Sequence, residues 1–154
     1  MAEEFKPQPI EILLVDDNED DIVLLEESFE DSKFLNLMQV VHDGEEALEY
    51  LRREGRHRAA KTPGLVLLDI NMPKMNGFEV LRAMKADPLL RTIPVVMLTT
   101  STRDEDIARS YDSGACSFVS KPVNFEKLKE VIKQFTLYWS LVSVVPPPRA
   151  AEAP

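Results

Sequence analysis

Several polar residues of this sequence come directly after short apolar segments, and their types suit phosphate chemistry. The sequence places Asp16 and Asp17 after ILLV, Asp69 after LVLL, Thr99 after VVML and Lys121 shortly after SFV. If these side chains met, the carboxylates would repel one another, and a divalent cation such as Mg2+ would relieve the conflict through its preference for oxygen ligands. The cation and the lysine would then neutralise phosphoryl oxygens while an aspartate attacks, which is the chemistry of an aspartyl-phosphate.

The acidic segment DDNEDD, residues 16–21, also allows two other interpretations, a solvated turn and a calcium loop. Asp16, Asn18, Asp20 and Glu27 fall on positions 1, 3, 5 and 12 of an EF-hand pattern. The sixth position needs a glycine for its sharp turn, and this chain has Asp21 there. The preceding ILLV predicts a buried strand and not a helix, so we disfavour calcium and keep the turn and the pocket.

Strands and helices alternate along the chain. We predict strands at 12–15, 38–41, 65–68, 94–98 and 117–119, and helices at about 19–32, 44–54, 76–87, 103–112 and from 124 onwards. Near-continuous apolar strands are typical of a parallel sheet covered on both faces, so the fold class is α/β with a doubly wound five-stranded sheet and five helices. Ligands bind at the carboxyl ends of such strands, where the polar residues would converge, and this favours the pocket over the turn.

Composition and charge exclude several classes of function. The chain has 154 residues, which suits one domain, and a net charge of −9, which disfavours binding to nucleic acid or to an anionic membrane. We see no apolar run long enough to span a bilayer and no secretory signal. Cys116 is the sole cysteine, which predicts the reducing cytoplasm. His42 and His57 form no ligand-spaced cluster, so we expect both at the surface.

The motifs LLVDDNEDD, LLDINMPKMNG, VVMLTTS and SFVSKPV together resemble the receiver domain of two-component response regulators, over about residues 10–135. The resemblance implies a flavodoxin-like fold with strand order 2-1-3-4-5. It implies that Asp69 is the phospho-acceptor, forming a 4-aspartylphosphate. It further implies that Asp16 and Asp17 hold Mg2+ together with Asp69 and the backbone carbonyl of Asn71.

The same resemblance assigns roles to residues after the fourth and fifth strands. Thr99 and Lys121 would contact the phosphoryl group. Phe118 matches the aromatic switch residue of the family, and Lys121–Pro122 matches a peptide bond that is usually cis there.

Two alternatives from other classes stay open. An aspartate-nucleophile phosphatase typically carries a general acid two residues after its nucleophile, whereas Asp69 is followed by Ile70 and Asn71. The second alternative is an interaction module that is never phosphorylated, which the complete acidic set disfavours. We therefore predict a signalling protein that is not an enzyme.

Flanking features resemble a narrower group, the stand-alone regulators paired with phytochrome-type sensor histidine kinases. These features are NEDD, the basic loop before the third strand, SYDSGACSFVSKPV and the aromatic tail. The resemblance implies a single-domain regulator phosphorylated by such a kinase, a bacteriophytochrome, and signalling through partner proteins.

The ends of the chain differ in composition from the middle. We predict a disordered lead-in at 1–9, a receiver domain at 10–138 and an arm at 139–154 that is apolar and then proline-rich. The proline run cannot continue a helix, so the arm should be extended. The residues expected to form a homodimer contact are Tyr138, Trp139, Leu141, Val142, Val144 and Val145. The alternative is that the arm folds back on its own domain.

Overall fold

The computed structural model describes residues 11–30, 38–99, 109, 112, 114, 115, 117–121, 126–131, 133 and 134. Its bounded elements are β1 Ile12–Val15, α1 Glu19–Glu30, β2 Met38–Val41, α2 Gly44–Arg52, a 3-10 helix Gly55–His57, β3 Leu65–Asp69, α3 Gly77–Ala86, β4 Val95–Thr99 and β5 Ser117–Ser120. Residues 126–131, 133 and 134 are helical as well. No helix in this described part is both long and apolar enough to cross a membrane.

The five strands form one parallel sheet in the order β2-β1-β3-β4-β5, which confirms the predicted order. Every residue of β1, β3 and β4 is buried. Apart from Asp69 and Thr99 at their carboxyl ends, these strands are apolar, because helices cover both faces of the sheet and leave no solvated face on which polar residues could alternate.

Alternate residues of β1 supply two separate apolar layers, as the two-residue period of a strand requires. Leu13 and Val15 pack in one layer with α2 and α3. Ile12 and Leu14 pack in the other with α1 and with Leu128. The helical spacing of apolar residues predicts which of them are buried, and this is confirmed for Ala47, Leu48, Leu51, Val80, Leu81, Met84 and Leu128. Val131, which the same spacing predicts to be buried, is only partly buried.

Helix ends follow local capping chemistry, with one departure from the prediction. Asn76 caps α3 through a capping box with Glu79. In α2 the side chain of Asp43 accepts a hydrogen bond from the Glu46 N–H, and the helix ends at Arg53, which has φ 60. We predicted helix two to reach residue 54 and predicted no 3-10 helix after it. The left-handed conformation that ends α2 is usually taken by glycine, so an arginine there gave no signal.

Some predictions fall on residues outside the described part. They are the lead-in at 1–9, the arm at 139–154, most of helix four at 103–112, Cys116, Pro122, and the predicted burial of Ile132 and Phe135.

Candidate functional site

Three carboxylates converge where β1 and β3 end. Val15 pairs with Leu68 in the sheet, so Asp16 and Asp69, each one residue further on, come to the same edge. Ligand oxygens of Asp16, Asp17 and Asp69 all lie within 4.8 Å of one another. Asp16 is 0% exposed and Asp69 is 3% exposed, whereas Asp17 is exposed. The sequence prediction of one acidic pocket at this edge is confirmed in its geometry.

The side chain of Lys121 enters this group from the end of β5. Its Nζ lies 2.9 Å from Asp16 Oδ2, 2.9 Å from Asp21 Oδ2 and 3.3 Å from Asp69 Oδ1. An ammonium carries three N–H donors, and here each can face one carboxylate. Its backbone N–H donates to the carbonyl oxygen of Thr99 at 2.6 Å, which fixes where the side chain departs from the sheet.

Asp21 is a site residue that the sequence analysis missed. In the sequence it stands out only as a mismatch to the calcium pattern. In the structure, Asn18 Oδ1 accepts a hydrogen bond from the Asp21 backbone N–H at 3.0 Å at the start of α1. The next residue, Ile22, is buried in the core, and that contact sets the rotation of the helix. The sequence feature that could have indicated this role is an acidic residue in the first turn of α1, the helix that follows β1.

Burial dominates the electrostatics of the pocket. It raises the pKa of Asp69 to about 7; Lys121 opposes this shift and the Asp16 carboxylate adds to it. Burial alone would lower the pKa of the Lys121 ammonium, but hydrogen bonds to Asp21 and Asp16 outweigh it and raise that pKa. Three acidic groups around one ammonium leave a surplus of negative charge. A hard divalent cation fits that surplus and that set of oxygen donors.

Asn71 lies at the mouth of the pocket, in the loop between β3 and α3. Its backbone N–H donates to Asp69 Oδ1 at 3.3 Å, and the residue is exposed. This contact helps to orient the Asp69 carboxylate. Its carbonyl is the group that the family resemblance implies as a metal ligand.

The predicted switch residues lie on one face of the sheet. Thr99 ends β4 and is 2% exposed. Phe118 pairs in register with Met97, two residues before Thr99, so both side chains point to the same side. Phe118 is half-buried and packs against the α2 and α3 layer. The register places the two predicted residues on the same face of adjacent strands, offset by two residues.

A close backbone approach shapes the loop that carries Asp69. The Gly77 N–H donates to the Ile70 carbonyl at 2.9 Å. A β-carbon at position 77 would overlap the Asp69 carbonyl oxygen and would lie 2.8 Å from the Ile70 α-carbon. Within the same loop Lys74 has φ 67. The motif MPKMNG is therefore turn chemistry that also holds the backbone of Asp69 in place, a role that the sequence analysis did not assign to Gly77.

Both histidines meet one carboxylate, that of Glu46 in α2. The His57 Nε2 lies 3.2 Å from Glu46 Oε2, which also accepts a hydrogen bond from Arg56 at 2.7 Å. The His42 backbone N–H donates to Glu46 Oε1 at 2.9 Å. The expectation that both histidines are surface residues is confirmed for His42, whereas His57 is partly buried, with 19% of its side chain exposed. The 3-10 helix turns His57 back toward α2, where Tyr50 also packs against its ring.

A doubly wound parallel sheet with three carboxylates and a lysine at its carboxyl edge defines a class of phosphate-accepting signalling domains. Residues 12–133 match the response regulator receiver domain, and the chain belongs to that family. The family resemblance noted in the sequence is thereby confirmed.

The chain is also similar in sequence to two individual regulatory proteins. The chain is 43% identical over 132 residues to the probable methanogenesis regulatory protein FilR2 of Methanothrix harundinacea, covering 85% of this chain and 84% of that protein. It is 34% identical over 139 residues to response regulator Rcp1 of Synechocystis sp., covering 90% of this chain and 94% of that protein.

Two solved structures of response regulators are similar to this chain in both fold and sequence. The Mn2+-bound form of Rcp1 matches with a TM-score of 0.73 at 33% identity, covering 90% of this chain and 100% of that chain. The phosphorylated cyanobacterial phytochrome response regulator RcpA matches with a TM-score of 0.73 at 39% identity, covering 91% and 100%. The predicted similarity to phytochrome-type regulators is confirmed as a similarity of sequence and fold.

Proposed function

We propose that this chain is a single-domain response regulator that accepts a phosphoryl group on Asp69 from a phytochrome-type sensor histidine kinase. The observation that carries the proposal is the convergence of Asp69 with Asp16, Asp17 and Lys121. In the transfer, the bond between phosphorus and the kinase histidine nitrogen breaks, and a bond between phosphorus and an Asp69 carboxylate oxygen forms. The histidine keeps the electron pair of the broken bond.

Each residue of the site has a distinct task in this proposal. Mg2+ would be held by Asp16, Asp17, Asp69 and the carbonyl of Asn71, and it would supply positive charge to the phosphoryl oxygens. Lys121 adds an ammonium beside Asp69, and Thr99 adds a hydroxyl donor. Phosphorylation then draws the Thr99 hydroxyl inward and lets Phe118 change its rotamer, so that partner proteins meet a different surface.

The choice of kinase is supported by similarity to Rcp1 and RcpA. The protein works in the cytoplasm, as a homodimer joined through the arm at 139–154, and passes its signal to partner proteins without enzymatic turnover. Neither nucleic acid nor membrane is a partner, in keeping with the net charge of −9.

Incubation of the full chain with acetyl phosphate and Mg2+ tests the proposal. We expect one acid-stable, base-labile phosphate per chain by mass spectrometry, lost in Asp69→Asn and retained in the matched control Asp20→Asn, which alters an exposed acid. Steady release of inorganic phosphate from phosphomonoesters would indicate a phosphatase, and no incorporation would indicate an interaction module. Faster transfer from a phosphorylated phytochrome-type kinase than from an unrelated histidine kinase would support the pairing, and equal rates would contradict it.

A further inference from the structure

Lys121 has more carboxylate partners than the phosphorylation chemistry uses. Two of the three, Asp16 and Asp69, belong to the trio whose oxygens lie within 4.8 Å of one another. A cation and a phosphoryl group would each compete with Lys121 for those two carboxylates. The third partner, Asp21, lies outside that trio.

Asp21 also differs from the other two in its origin. It stands in the first turn of α1, whereas Asp16 and Asp69 come from strand ends. Its backbone N–H is bonded to Asn18 Oδ1, and Asn18 in turn donates its own backbone N–H to Asp16 Oδ1 at 2.9 Å. The side chain of Asp21 is 32% exposed, so it lies at the rim while Lys121 is 8% exposed beneath it. This network fixes Asp21 relative to Asp16 and leaves the Asp21 carboxylate itself outside the metal trio.

We infer that Asp21 is a positioning residue, which holds the Lys121 ammonium beside Asp69 while Asp16 and Asp69 are engaged by the cation and the phosphoryl group. The inference rests on the proposed phosphorylation of Asp69. Whether Asp21 assists or hinders phosphoryl transfer depends on which N–H donor of Lys121 the phosphoryl group would use. The N–H that now faces Asp69 Oδ1 at 3.3 Å is the one a phosphoryl oxygen can take over, so the 2.9 Å bond to Asp21 can persist during transfer. Asp21 therefore assists the phosphoryl group and does not compete with it.

The test compares Asp21→Asn with Asp20→Asn in the full chain, since the two substitutions remove the same charge from the same helical turn. Loss of a charge-assisted hydrogen bond to a group that acts in the transition state should slow phosphorylation by acetyl phosphate about tenfold at saturating Mg2+ in Asp21→Asn. Asp20→Asn should stay within about twofold of the wild type. The Mg2+ affinity, measured by calorimetry, should stay within about threefold in both variants, because a residue outside the metal trio lends little to cation binding.

A third variant, Asp21→Glu, keeps the carboxylate and should retain a rate within about threefold of the wild type, so a defect in Asp21→Asn cannot be assigned to helix disruption alone. A rate in Asp21→Asn that equals or exceeds that of Asp20→Asn would overturn the inference. So would an equal loss of rate in Asp21→Glu, or a Mg2+ affinity that falls in parallel with the rate. A wild-type protein that gains no phosphate would instead overturn the proposed function, and the inference with it.

Discussion

Gly77 lies so close to Asp69 that a β-carbon at position 77 would overlap the Asp69 carbonyl oxygen. Gly77→Ala must therefore displace the loop that carries the phospho-acceptor. We expect a loss of about 1–3 kcal/mol of unfolding free energy, as for other overpacked sites, together with slower phosphorylation. Urea unfolding and phosphate incorporation measure the two effects.

The control for this variant is Gly55→Ala. Gly55 has φ 56 and open space around it, so alanine there meets backbone strain without a clash. It should lower stability by about 1–2 kcal/mol and leave phosphorylation unchanged. Unimpaired phosphorylation in Gly77→Ala would show that the close approach does not position Asp69.

The Lys121 ammonium neutralises a buried carboxylate, and its removal should be costly. Lys121→Met leaves Asp16, at 0% exposure, without its cationic partner, and we expect a loss of about 3 kcal/mol of stability. Added Mg2+ should restore more stability in this variant than in the wild type, since the site is then more negative. Thermal unfolding with and without Mg2+ measures this.

Lys129→Met provides the comparison, because Lys129 makes an exposed pair with Glu126 at 4.0 Å. Its loss should change stability by less than about 0.5 kcal/mol. Equal effects in the two lysine variants would contradict the importance of the buried pair.

The raised pKa of Asp69 predicts a specific pH dependence of stability. The pKa is about 7 in the folded protein, against about 3.9 for an unfolded aspartate. Because the folded-state pKa is raised, the wild type without Mg2+ should lose stability as the pH rises from about 4 to about 7, by on the order of a few kcal/mol. Asp69→Asn should remove this slope and be the more stable protein at pH 8. Denaturant unfolding across this pH range measures the slope of unfolding free energy against pH. The same slope in the wild type and in Asp69→Asn would show that Asp69 is not the group responsible.

Glu46 in α2 accepts contacts from Arg56 and His57 of the 3-10 helix, so its substitution should make the 3-10 helix less stable. Burial raises the pKa of Glu46, but hydrogen bonds from the His42 backbone and from His57, and the charge of Arg56, outweigh it and leave the pKa lowered. Its stabilising contribution is therefore present above the unfolded-state pKa of about 4.3 and is lost as the pH falls below it. Glu46→Gln should increase amide exchange at residues 55–58 at pH 7, whereas Glu45→Gln, an exposed neighbour, should not. Unchanged exchange in Glu46→Gln would show that the charge does not hold the loop.

The apolar arm predicts the oligomeric state. A chain ending at residue 135 should be monomeric by light scattering at micromolar concentration and should still accept phosphate, because it lacks the apolar residues that we expect to cover the partner subunit. Removal of residues 1–9 serves as the control and should leave a dimer. A monomeric full chain, or a dimeric truncated chain, would contradict the role of the arm.

Strand positions and the main site were predictable from sequence, whereas contacts made by helix side chains were not. The bounds of β1 and β2 match the predicted ranges. For β1 the reason is that a short run of branched apolar residues between polar segments is typical of a buried strand. The meeting of Lys121 with Asp16 and Asp69 follows once all the strands are parallel.

The contact between Asp21 and Lys121 depends on how α1 is rotated about its axis, and core packing around Ile22 sets that rotation. The convergence on Glu46 depends on a 3-10 helix that begins after a left-handed arginine, a conformation for which the sequence carries no marker. Both contacts are products of tertiary packing and not of local pattern.

The bond between Lys121 and Asp16 joins residues 105 positions apart, and it spans from the strand next to one edge of the sheet to the strand at the other edge. Contacts of such long sequence separation form late, since the loop-closure entropy must be offset by the strands between them. A nascent chain that lacks β5 also lacks Lys121 and therefore cannot complete the pocket. Phosphorylation is in this way coupled to completion of the whole sheet, because the site has its full set of residues only after β5 has joined.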